Sequence, residues 1–143
     1  MSSANINLVQ DIYAAFGRRD IPAMLEKLAP DATWGMVGRP EDVPMAGIRS
    51  GKAGAIEFFR ILAETQDITS FEPQRFVGGE NMVFAFGRIK WIMRRNGVAG
   101  ENEFLHVFTI RDGMVCAWRG YQDTGSLAEA YHRATAAKRA AAE

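Results

Sequence analysis

Two runs rich in β-branched and aromatic residues, Glu101–Ile110 and Met114–Gln122, flank Arg111-Asp112-Gly113. Asp-Gly between such runs predicts a tight hairpin, because the turn needs positive φ and glycine supplies it without a Cβ penalty. Successive strand side chains take opposite faces, so Asn102, Phe104, His106, Phe108 and Ile110 share one side of the first strand. Leu105 and Val107 share the other side with Glu103 and Thr109. Apolar residues on both sides predict a strand covered on both faces. One side also sets an imidazole between two phenylalanines. The remaining elements have to pack around this hairpin.

Upstream, Leu8, Val9, Ile12, Tyr13 and Phe16 recur at helical spacing, with Asn5 or Asn7 as the cap and Gly17 as the stop. Asp20-Ile21-Pro22 opens a second, short helix carrying Met24, Leu25 and Leu28, and Pro30-Asp31 closes it. Ala32–Val37 is a strand with Trp34 and Met36. The Pro- and Gly-containing stretch from Gly38 to Gly51 is a loop long enough to form the lid or mouth of a site. A third helix, capped by Ser50, runs to about Thr65 with Ile56, Phe58, Phe59, Ile61 and Leu62 apolar. From Ile68 the period changes to two: Ile68–Val77 and Met82–Arg95 are separated by a Gly78–Asn81 turn, and Asn96-Gly97 makes the next hairpin. Ser126-x-x-Glu129 fits a capping box, opening a last helix with Leu127, Ala130, Tyr131 and Ala134 before a tail that frays after Thr135. Helices ahead of an antiparallel meander give an α+β domain: a cone-shaped curved sheet packed on three helices around an interior pocket.

At 143 residues the chain suits one domain, residues 1–143, with its core at about 5–134. Seventeen basic residues balance seventeen acidic ones, so no net field favours nucleic acid or anionic lipid. The short basic pairs Arg94-Arg95 and Lys138-Arg139 read as solvated side chains. The single cysteine, Cys116, and two histidines leave no basis for a disulfide or a dedicated transition-metal site. No signal-peptide pattern and no spanning apolar run appear, which points to a cytoplasmic protein without a membrane segment.

Three stretches carry a family resemblance: YAAFGRRDIPAMLEKLAPDATW at 13–34, GIRSGKAGAIEFF at 47–59, and EFLHVFTIRDGMVCAWRGYQDT at 103–124. In this order they resemble the SnoaL-like and ketosteroid-isomerase-like branch of the nuclear transport factor 2-like superfamily. The resemblance implies the cone fold with an interior ligand pocket. It does not imply one chemistry, since the superfamily holds isomerases, cyclases, epoxide hydrolases, dehydratases, carriers and scaffolds. Steroid isomerases place a base Asp three residues after the DAT-type sequence. Here Asp31-Ala32-Thr33 is followed by Trp34, Gly35 and Met36, so methionine stands at that position and the steroid isomerase mechanism is rejected. Their second acid falls at His106, and their tyrosine donor falls on the first helix in the Tyr13–Phe16 stretch. SnoaL-type cyclases carry an acid/base Asp near the end of the last strand, where Asp123 stands. Epoxide hydrolases need an Asp-Arg-Asp set; Arg88 and Arg119 are available, but no second strand Asp is.

The resemblance and the residues together imply a cofactor-independent small-molecule enzyme or binder, doing proton-transfer chemistry on a hydrophobic carbonyl compound. His106 is the expected donor or acid/base, and Asp123 the base or orienting group. Tyr13, Trp34, Met36, Phe58, Phe104, Trp118, Arg119 and Tyr121 are the expected ligand contacts. The competing readings are structural: a satisfied core histidine, an Asp at a helix N-terminus, aromatic core residues. At the level of the whole chain the alternative is a non-catalytic binding or dimerisation module. A homodimer is expected, because the sheet face with Leu105 and Val107 needs a cover.

Overall fold

In the computed structural model, which describes residues 2–133, the predicted hairpin is the centre of a mixed sheet. β5 (Ala99–Arg111) and β6 (Met114–Tyr121) turn at Asp112 and Gly113, whose φ values of 53° and 74° are both left-handed. β4 (Met82–Met93) and β3 (Gln66–Gly78) extend the meander on one side. On the other side β1 (Leu28–Met36) runs parallel to β6, and β2 (Gly47–Ser50) pairs antiparallel with β1. The sheet order is β2-β1-β6-β5-β4-β3.

The helices are α1 (Ser2–Gly17), α2 (Ile21–Leu25), α3 (Gly51–Thr65) and α4 (Thr124–His132). α1, α2 and α3 cover the concave face. Val9, Ile12, Ala15, Met24, Ala55 and Phe58 are buried against Val83, Ala85, Ile89, Phe104 and Phe108 of the sheet. α4 closes the end beside β5. Asn96, buried at the β4–β5 turn, donates to the Ala130 and Arg133 carbonyls at 2.7 and 2.9 Å and so holds the end of α4.

Several expectations are corrected. α1 begins at Ser2, so Asn5 is inside the helix, where its side chain donates to the Glu80 carbonyl at 2.9 Å. α2 stops at Leu25, and Leu28, Pro30 and Asp31 belong to β1. The sheet has six strands and one parallel pair, not an antiparallel meander alone. α4 is capped by Asp123, whose carboxylate accepts from the Ser126 N–H at 3.1 Å, in place of the Ser126–Glu129 box. The expected Gly38–Gly51 loop is shortened, because Gly47–Ser50 forms β2; Val43 and Met45 of the remainder are buried, and Asp42 meets His132 on α4 at 2.8 Å. Ala134 and the tail fall outside the described residues. No helix among the described residues is long and apolar enough to cross a membrane.

Candidate functional site

The inward residues of β4 and β6 decide where His106 sits. Its cross-strand neighbours are Ala85 on β4 and Gly120 on β6, the two smallest kinds of side chain. Gly87 faces Phe104 in the same way; a Cβ there would lie 2.6 Å from the Phe104 ring and 2.2 Å from the Glu72 carbonyl oxygen. Small residues on both flanking strands thus leave room for a stacked pair of rings. Phe104 lies against His106 with centroids 4.3 Å apart, and Trp118 meets the imidazole edge-on at 4.9 Å. Phe71 of β3 stacks on Phe104 at 4.9 Å.

α1 supplies the polar partner. The Tyr13 hydroxyl is 2.8 Å from His106 Nδ1. Burial pushes the imidazole pKa down to about 3, because a charged ring would lose its hydration. Burial also pushes the Tyr13 phenol well above its ordinary range. Both groups are therefore neutral near pH 7. In the tautomer whose Nδ1 accepts from the phenol, Nε2 carries the proton, and the pair is then a relay that ends in an N–H donor.

A cavity of about 60 Å³ lies beside this pair. Trp34, Met36, Met45, Phe58, Trp118 and Gln122 line it together with Tyr13 and His106. Tyr13 and His106 are its only titratable side chains among the described residues. Trp34 stacks on Trp118 at 4.7 Å, and its buried indole N–H has no acceptor among the described residues. A water needs about 10–15 Å³ of such space, so the cavity has room for a few waters or one small functional group. A cleft of about 840 Å³ opens between α1, α3 and β3, and Phe16, Phe59 and Phe71 line both spaces. Phe16 packs edge-on to Phe71 at 5.3 Å, so these rings form an aromatic collar between cleft and cavity.

Of the residues expected from the sequence, Tyr13, Trp34, Met36, Phe58, His106 and Trp118 converge on the cavity. Phe104 stands behind His106 as its stacking partner. Asp123, Arg119 and Tyr121 do not join them. Strand alternation is the reason: Trp118 and Gly120 face inward, so Arg119 and Tyr121 face outward opposite Val107 and Leu105. Arg119 donates to Thr33 Oγ1 at 3.0 Å and to the Trp118 carbonyl at 2.7 Å. Tyr121 is 41% exposed. Asp123 is exposed and caps α4, as above. The residue that does reach the cavity from that end is Gln122, which accepts from Asn102 Nδ2 at 3.1 Å. Its parity with Trp118 was the available signal. Phe71 and the collar were not identified from sequence, because β3 carries irregularities after Ile68 and Pro73 that break simple alternation.

The SnoaL-like domain family matches residues 9–118. The chain belongs to this family. Among solved structures, this SnoaL-like domain is similar to an NTF2-like protein from Burkholderia xenovorans LB400, with 28% identity, 92% of this chain and 98% of that chain covered, and a TM-score of 0.83. An NTF2-like protein from Burkholderia thailandensis E264 is 26% identical over 93% of this chain and 99% of that one, with a TM-score of 0.82. TerC, co-crystallised with polyporic acid, is 26% identical over 91% and 99% of the two chains, with a TM-score of 0.79. No curated protein matches.

Proposed function

We propose that this SnoaL-like domain takes a flat hydrophobic carbonyl compound through the cleft and seats its carbonyl oxygen in the small cavity against His106. The reaction is cofactor-independent proton transfer, of the isomerase, cyclase or lyase kind. The observation that carries this reading is the buried 2.8 Å Tyr13–His106 pair, which is neutral and walled by aromatic rings. Tyr13 donates to Nδ1, and Nε2–H donates to the carbonyl. As an α-proton leaves, charge builds on that oxygen, and a donor held in a water-poor site stabilises it more than solvent would. The unpartnered Trp34 N–H is a second donor for the same oxygen. That TerC was crystallised with a small organic compound agrees with ligand entry into this fold.

The proton acceptor is not a carboxylate. No carboxylate among the described residues lines the cavity, and Met36 lines it where the family resemblance would place a steroid isomerase's base. His106 itself, with its pKa near 3, is a weak base. Water or an oxygen of the substrate therefore takes the proton, which requires a C–H already activated by a second carbonyl. Absorbance-monitored enolisation of aryl β-dicarbonyl compounds tests this. His106→Ala, shown to be folded by circular dichroism, loses about 10²–10³-fold in rate if the donor acts as described; an unchanged rate overturns the assignment.

The missing carboxylate also favours a second reading, a non-catalytic binding module. Under it the same compounds bind and shift His106 but leave unchanged. A second copy is the proposed cover for the outer sheet face, where Phe86 is 40% exposed beside Leu105, Val107 and Tyr121. Arg88 pairs there with Glu101 at 2.8 Å and Glu103 at 3.2 Å, giving a charged rim of both signs around an apolar centre. Light scattering should report a dimer that Phe86→Glu dissociates.

A further inference from the structure

The cavity beside His106 holds only a functional group, so the body of any ligand has to lie in the cleft outside the aromatic collar. The charges of that cleft then bear on what the ligand is. Arg19, Arg60 and Arg94 line it, and Asp67 is its one carboxylate among the described residues. Arg94 is held by Asp67, with Nε 2.9 Å from Oδ1. Arg60 is held by Glu64, with contacts of 3.0 and 3.1 Å to its two oxygens. Arg19 has no acidic partner among the described residues. Among the described residues its guanidinium is the one cation of the cleft without a counter-charge.

The backbone at Arg19 adds a second observation. Its φ is 58°, in the left-handed region, where it follows the last turn of α1. A glycine takes that conformation freely, whereas an arginine takes it only against steric cost. Gly17 stands two residues earlier and is not the residue used for it. The Arg19 N–H donates to the Phe16 carbonyl and the Asp20 N–H to the Ala15 carbonyl, both at 2.9 Å, so Arg19 is the left-handed residue that closes α1, and this stop fixes where its side chain leaves the helix end. The remaining walls are apolar and flat: Phe16, Phe59, Phe71, Ile21, Ile56 and Leu62.

We propose that the ligand is an organic acid: an aryl or polycyclic carbonyl compound whose body lies between α1, α3 and β3 and whose anionic group pairs with Arg19 at the rim. This rests on the reading of the cavity as a carbonyl site and adds the substrate's charge to it. Carbonyl and anion are then recognised at opposite ends of one flat molecule, which fixes its direction of entry. Guanidinium and carboxylate suit each other because the planar donor fork matches the two carboxylate oxygens.

The test uses aryl keto acids (benzoylpropionate and its biphenyl and naphthyl analogues) and their methyl esters. Calorimetry gives affinity, and the His106 ring resonances report whether the carbonyl reaches the cavity. The acids are expected to bind about tenfold more tightly than the esters. Arg19→Gly, which keeps the left-handed backbone, should remove that advantage and leave ester affinity unchanged. Arg19→Lys should restore part of it. Acids and esters that bind equally while both shift His106 would overturn the anion assignment and leave the carbonyl site standing. Compounds that bind without moving His106, or that do not bind at all, would overturn both.

Discussion

Acid should destabilise this protein through one imidazole, and the amount follows from the burial of His106. Its folded pKa is pushed down to about 3, whereas an exposed histidine titrates near ~6.5. Between those values the unfolded chain binds a proton that the folded chain refuses. Stability is therefore fully present above about pH 6.5 and falls as pH drops toward about 3. Each pH unit in that window is worth about 1.36 kcal/mol, so the loss by about pH 4.5 is ~2.7 kcal/mol. Carboxylates add their own acid sensitivity: a hydrogen bond from Arg39 holds Glu41 below the usual range, and one from Arg88 does the same for Glu101. His106→Gln keeps those groups and keeps an amide within reach of Tyr13 while removing the titration. Urea unfolding of both proteins at about pH 7.5 and about pH 4.5 isolates the imidazole. The variant should gain ~2.7 kcal/mol relative to the parent at the lower pH. A difference that is the same at both pH values would refute a buried neutral histidine.

Three further perturbations separate positioning from packing. Tyr13→Phe leaves Nδ1 of His106 without a partner and should cost about 1–3 kcal/mol in urea unfolding, since a buried acceptor loses its only donor. Asp123→Ala removes the cap of α4 and should cost about 1 kcal/mol. The ligand response of His106 should survive that change, because Asp123 lies outside the cavity; loss of the response would restore Asp123 to the site. Gly87→Ala drives a methyl group into the Glu72 carbonyl oxygen, 2.2 Å from the built Cβ, and into the Phe104 ring. It should destabilise by about 1–3 kcal/mol and broaden the His106 resonances, as the ring stacked on Phe104 loses its seat.

What the sequence revealed depended on whether the signal was local. Asp112-Gly113 and Asn96-Gly97 mark turns through backbone geometry that few other residues accept, and both hairpins form there. The alternation of β5 placed His106 inward and Leu105 and Val107 outward, as the burial of that strand shows. The parallel pairing of β1 with β6 joins residues about eighty positions apart, and no local pattern encodes it. β2 has four residues in a stretch rich in turn formers, too short for a period to register. Of the candidate site residues, those tied to strand parity with His106 or to the first helix converge. Arg119, Tyr121 and Asp123 share the parity opposite to that of Trp118, and the structure sends them elsewhere. Gln122 would have followed from counting by two from Trp118. Phe71 would not, because the bulges of β3 reset the count.

Nitrogen-15 NMR of the His106 ring tests the central claim most directly, first alone and then with aryl carbonyl compounds. The imidazole should be neutral from about pH 8 down to about pH 5, protonated at Nε2 and hydrogen-bonded at Nδ1. The Nε2 proton should shift when a carbonyl ligand is added. A ring that titrates near ~6.5, or one that stays neutral but ignores every carbonyl compound, would contradict a buried histidine that serves as carbonyl donor.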